Sequence, residues 1–70
     1  MSKRTYFILN GESYYSNQSI YISDLVNYFN YKESLLVLEL NHSIYNKKSW
    51  DQTILNNNDI IEIVSIVGGG

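Results

Sequence analysis

The residues best suited to chemistry are Gly68, Gly69 and Gly70, which follow an apolar strand-like run and hold three of the chain's four glycines. At an average glycine usage of about 7%, a terminal triple arises by chance in roughly one chain in three thousand, too seldom for a frayed end or a cloning scar to be the preferred reading. Glycine lacks Cβ, so the main chain takes almost any angle and another protein can close tightly around it. Extended at about 3.3 Å per residue, the stretch from Ser65 to Gly70 carries its carboxylate on the order of 20 Å beyond a folded body. That carboxylate, with a pKa of about 3.3 to 3.7, is ionised at neutral pH and accepts a nucleophile only after activation, which calls for ATP and a partner enzyme.

Other side chains offer less. His42 is the single histidine and has no cysteine or second histidine beside it, so a solvated turn residue is the better reading than a catalytic or metal-binding one. The chain has no cysteine, which removes a disulfide framework, a thiolate metal site and a thiol nucleophile. The serines lack a credible base, and Gly11 alone makes no phosphate cradle. The carboxylates are dispersed and read as solubility charges.

At 70 residues the chain makes one domain with a small core and little room for an enclosed active site. Its net charge is −2, and the basic residues Lys3, Arg4, Lys32, Lys47 and Lys48 are scattered, which argues against a nucleic-acid footprint. No apolar run approaches the length of a spanning helix, and the N-terminus lacks the apolar core of a signal peptide; neither a membrane role nor export is expected. Alanine and proline are absent while Asn, Ile and Tyr abound, a bias attributed to an A+T-rich genome, such as that of an organelle, rather than to the fold.

These residues need elements to position them. Arg4 to Asn10 reads as a strand, Asn10-Gly11 as a type I′ turn, and Glu12 to Tyr15 as the return strand. Ser23 is the expected N-cap of a short helix running to about Asn30, with Asp24 in its first turn and Leu25, Val26 and Phe29 as its buried stripe. Leu35 to Leu40 alternates as a strand with its leucines inward, Asn41 to Ser43 turns, and Ile44-Tyr45 returns. Lys47 to Trp50 reads as a tight turn and Asn56 to Asn58 as another. A last strand runs from Asp59 to about Ile66, with Ile61 and Ile63 inward and Glu62 wet. The run β-β-α-β-β-β points to an α+β fold; by analogy with known folds, rather than from periodicity, the expected arrangement is a ubiquitin-like β-grasp, with a mixed four- to five-stranded sheet packed on one short helix and the first and last strands central. Residues 1–67 form the domain, and residues 68–70 a flexible tail.

The same parity places Tyr6, Ile8, Val37, Val64 and Ile66 on the outer face of the sheet, where they are expected to form an apolar patch beside the tail. Ordering a glycine tail costs roughly 1 to 2 kcal/mol per residue, and a docking patch for a partner would offset that.

Over nearly its whole length the chain resembles the ThiS family of sulfur-carrier proteins of thiamine biosynthesis. The resemblance rests on Leu9-Asn10-Gly11-Glu12, Leu38-Glu39-Leu40-Asn41, Trp50, Asp59-Ile60-Ile61-Glu62-Ile63 and the ending Val67-Gly68-Gly69-Gly70. Asn58 departs from the family's usual glycine before Asp, but Asn tolerates a left-handed turn. The resemblance implies a protein co-substrate that binds no cofactor of its own. A ThiF-like enzyme would use ATP and magnesium to adenylate the Gly70 carboxylate, a sulfur donor system would convert it to a thiocarboxylate, and ThiG-like thiazole synthase would receive the sulfur. Gly68 and Gly69 would give the tail passage. The small subunit of molybdopterin synthase is similar in fold and ending but commonly carries proline and alanine where this chain has Ser65-Ile66-Val67. A ubiquitin-like modifier or interaction module is the alternative of a different class. The expected compartment is the cytoplasm, or the plastid stroma if the gene is organellar.

Overall fold

Two positive backbone angles open the structure, a computed structural model that describes residues 4–29 and 36–65. Asn10 at φ 49° and Gly11 at φ 84° form the two-residue loop between β1 (Thr5–Leu9) and β2 (Glu12–Ser16), pairing Leu9 with Glu12. Both central positions of a type I′ turn need φ above zero, the condition Asn and Gly meet at least cost. A Cβ on Gly11 would meet nothing within 4 Å, so the backbone angle and not crowding asks for glycine.

Helix α1 (Ile22–Tyr28) begins two residues earlier than a Ser23 cap requires. The N-cap is Tyr21, whose N–H donates to the Asp24 carboxylate at 2.9 Å. The reason is tertiary: Ile22 is fully buried and its N–H donates to the Thr53 carbonyl at 2.9 Å, which draws the first turn onto the segment after the 3-10 helix. The buried stripe is therefore Ile22, Leu25 and Val26, spaced i, i+3, i+4, with Phe29 half-buried at its end. Asn30, the expected helix end, lies outside the described residues.

Strand β3 (Leu36–Leu40) turns through Asn41 (φ 52°) and His42 (φ 74°) into β4, which is Ser43–Ile44 rather than Ile44-Tyr45. A second two-residue loop thus replaces the expected longer one. The segment read as a tight turn is a 3-10 helix, Lys47–Gln52, capped by the Asn46 side chain accepting from the Lys48 N–H at 3.0 Å. It delivers Trp50 into the core, where its indole N–H donates to the Tyr45 carbonyl at 3.2 Å. The Thr53 hydroxyl donates to the Ser49 carbonyl at 2.8 Å, so its 2.7 Å bond to Tyr45 must take its proton from the phenol.

Strand β5 (Asp59–Ser65) runs parallel to β1 and antiparallel to β3, giving the sheet order β2-β1-β5-β3-β4. First and last strands are interior, as the sequence predicts, and β5 is central. Ile61 and Ile63 are buried with Leu36, Leu38, Phe7 and Leu9 beneath the helix, and Glu62 is exposed. The expected boundary between residues 67 and 68 lies outside the described residues.

Asparagine does more for this fold than base composition explains. Asn10, Asn41 and Asn57 each use their side-chain oxygen to accept a strand N–H: Ile63 at 2.8 Å, Ile60 at 2.9 Å and Tyr6 at 2.8 Å. Each extends a ladder by one bond past the end of regular pairing, which satisfies donors that a short strand would leave open. Asn58 takes φ 73° and so performs the turn for which glycine is otherwise suited. The turn roles of Asn10 and Asn58 are as expected, and the attribution of asparagine to base composition alone is corrected by the side-chain bonds of Asn10, Asn41 and Asn57.

Candidate functional site

The central strand leads straight toward the glycines. Ser65, the last described residue, pairs with Leu36 at the start of β3. Ile66, Gly68, Gly69 and Gly70 lie outside the described residues, so the candidate reactive carboxylate is approached here through the strand that carries it. That strand is firmly held: Asn10 grips Ile63 from one side, and Asn41 grips Ile60 from the other, accepting its N–H and donating its own N–H to the Ile60 carbonyl at 2.7 Å.

Asp59 anchors the start of the same strand and is only 8% exposed. One carboxylate oxygen accepts from Asn41 Nδ2 at 3.0 Å and the other from the Asn56 N–H at 2.7 Å. A buried carboxylate needs such partners. The reading of the carboxylates as solubility charges is therefore corrected for Asp59, whereas Asp24 stands in the first turn of α1 as expected. The spacing Asn56-Asn57-Asn58-Asp59 after a turn was the available signal, since Asp bonding back three residues is a common loop device.

On the outer face, Tyr6, Ile8 and Val64 are exposed and Val37 is half-buried. The register sets them in two groups. Ile8 is opposite Ile60, and Tyr6 is opposite Tyr15, with ring centroids 5.9 Å apart and the Arg4 guanidinium 4.7 Å above the Tyr15 ring. Val37 is opposite Val64, two residues further along β5 than the facing pair Glu39 and Glu62. Ile44, 74% exposed, extends the row beyond Glu39. Tyr15, Ile44 and Ile60 were not assigned to this patch from sequence, although the two hairpin registers would have supplied Tyr15 and Ile44.

Two like charges directly opposite each other on neighbouring strands work against the fold. A face with apolar ends and a carboxylate pair between them suits a partner that presents a basic group flanked by apolar ones. His42 sits exposed in its turn. Among the described residues no group of three or more His, Cys, Asp or Glu side chains could hold a metal ion, and no helix is long and apolar enough to cross a membrane. The larger open hollow, about 660 Å³, lies between β2 and α1 and is lined chiefly by Phe7, Tyr14, Leu25, Tyr28 and Phe29. Among the described residues lining it, the one carboxylate, Asp24, is committed to the helix cap.

A five-stranded mixed sheet wrapped on one short helix, with its first and last strands parallel at the centre, defines a ubiquitin-like β-grasp protein. Comparison with known proteins makes the class specific: the model of the ThiS family matches residues 7–70, and the chain belongs to that family of small sulfur carriers, which are protein substrates rather than catalysts. A relative in Trieres chinensis called "Uncharacterized protein ycf40" is 55% identical over 64 residues, covering 91% of this chain and 88% of that protein. Proteins of the same name in Porphyra purpurea and Pyropia yezoensis are 29% and 32% identical over 62 residues, each spanning 89% of this chain and 87% of the relative. The crystal structure of a thiamine biosynthesis protein (ThiS) from Geobacter metallireducens superimposes with a TM-score of 0.79 at 20% identity, covering 94% of this chain and all of that one. That likeness fixes the fold.

Proposed function

We propose that this chain is the sulfur carrier for thiazole formation in thiamine biosynthesis, with Gly70 as the modified residue. A ThiF-like adenylyltransferase activates the Gly70 carboxylate with ATP and magnesium, a sulfur donor system converts the acyl adenylate to a thiocarboxylate, and a ThiG-like thiazole synthase takes the sulfur. Membership in the ThiS family is the single observation that carries the reading. The terminal Gly68-Gly69-Gly70 supports it, because a side-chain-free tail can enter a narrow channel and present a carboxylate there. The outer-face residues Tyr6, Ile8, Val37 and Val64, together with Ile66 as expected from strand parity, are the proposed docking surface, and Glu39 and Glu62 add a charge that selects a basic partner. The plastid stroma is the proposed compartment, supported by the A+T-type composition and by relatives whose ycf names are of the kind given to plastid reading frames.

Intact-mass measurement after incubation with a verified ThiF-like enzyme, ATP, magnesium and a sulfur source tests this. The expected gain is the exchange of one oxygen for sulfur, lost when Gly70 is deleted. No gain on a chain with a free C-terminus sinks the reading. Adducts linked through lysine would point instead to a ubiquitin-like modifier.

A further inference from the structure

The β1–β2 turn is the chain's one Asn-Gly step, and its chemistry extends beyond turning the chain. A glycine after asparagine leaves the next main-chain nitrogen unshielded by a Cβ, so that nitrogen can reach the asparagine carboxamide carbon. At Gly11 nothing lies within 4 Å of the place a Cβ would occupy, and both turn residues are exposed, so water has access. Two features of the fold oppose the attack. Asn10 Oδ1 accepts from the Ile63 N–H at 2.8 Å, tying the carboxamide across to β5. The Leu9–Glu12 pair and the Asn10 N–H donating to the Ile61 carbonyl at 2.9 Å hold the main chain on both sides of the turn peptide, which opposes the rotation about the Asn10 Cα–C bond that the attack needs.

We propose that Asn10-Gly11 is a deamidation site that the native fold holds closed and that opens when the turn separates from β5. In the reaction the Gly11 main-chain nitrogen loses its proton and bonds to Asn10 Cγ, the Cγ–Nδ2 bond breaks, and ammonia leaves with that proton. Water then adds to either carbonyl of the five-membered imide and gives aspartate or isoaspartate at position 10. Only water is consumed, and no redox partner is needed.

The two products differ in consequence. Aspartate keeps an oxygen to accept from Ile63 but adds negative charge beside Glu62, the β5 residue that follows the partner of Leu9. Isoaspartate lengthens the main chain of a two-residue loop by a methylene and cannot keep both the Leu9–Glu12 register and the bond to Ile63. The modification therefore frees the turn from the strand that leads to the glycines. This inference stands independently of the carrier reading.

The test uses the full chain at neutral pH, incubated folded and in strong urea, with peptide mapping for the mass change of amide to acid and isoaspartate methyltransferase labelling. Conversion at Asn10 is expected to be at least about tenfold faster in urea. At intermediate urea its rate should rise in parallel with hydrogen exchange of the Ile63 amide, since one opening event exposes both. Equal rates folded and unfolded overturn the proposal, as does absence of conversion in urea. So does a urea-independent rate while Ile63 exchange climbs, or comparable conversion at an asparagine not followed by glycine.

Discussion

At the scale of single residues, the start of β5 depends on one buried carboxylate and one asparagine that divides its polar atoms among three bonds. Asn41 donates its N–H to the Ile60 carbonyl, accepts the Ile60 N–H and donates Nδ2 to Asp59, while Asp59 also receives the Asn56 N–H. Asp59→Ala leaves donors unsatisfied beside a buried site, and the expected loss of stability is about 1–3 kcal/mol, read from the urea midpoint. Asn41→Ala is expected to cost a similar amount. The double variant should lose less than the two single losses added together, because the Asn41–Asp59 bond is shared; strict additivity would show that the pair is not coupled.

Turns and caps set the register at the scale of elements. Gly11 has free space around it and φ 84°, so Gly11→Ala is expected to cost about 1–2 kcal/mol through the backbone alone, and Gly11→Asn clearly less because asparagine tolerates the left-handed region. Thermal unfolding of the two variants side by side checks this; equal losses would mean the turn type is different. The helix shows how packing overrides a local signal. Ser23 is a good capping residue by type, but burying Ile22 and bonding its N–H to Thr53 places the N-cap at Tyr21. The 3-10 helix is a parallel case, since the four-residue stretch from Lys47 reads as a polar turn until Trp50 has a core to enter.

At the scale of the whole molecule, the outer sheet face is the proposed docking surface. Under the proposed docking, Ile8→Glu and Val64→Glu each abolish binding to the adenylating enzyme while leaving far-UV circular dichroism unchanged, since both side chains are exposed. Retained binding in both removes this face from the docking proposal. Glu39 and Glu62 oppose each other on adjacent strands, so Glu62→Gln is expected to stabilise the isolated protein by about 0.2–1 kcal/mol. The same variant should weaken partner binding, with a smaller effect at high salt. A stability gain without any loss of binding would mean that the carboxylate pair has no part in docking.

The sequence by itself determined the existence of the strands though not the bounds of β4, the Asn10-Gly11 hairpin, and the inward parity of Ile61 and Ile63, because each depends on local angles or on period-two alternation that needs no distant partner. It also carried the family motifs. Tertiary structure alone decided the two-residue shift of α1, the conversion of a turn into the 3-10 helix that carries Trp50, and the burial of Asp59. It also decided the grip of Asn10 and Asn41 on β5 from either side, and the insertion of Glu39 and Glu62 between the two apolar groups of the outer face. Parity along a strand fixes which side a residue faces, but only the pairing register, set by contacts between residues as far apart as 10 and 63, fixes its neighbours on that side.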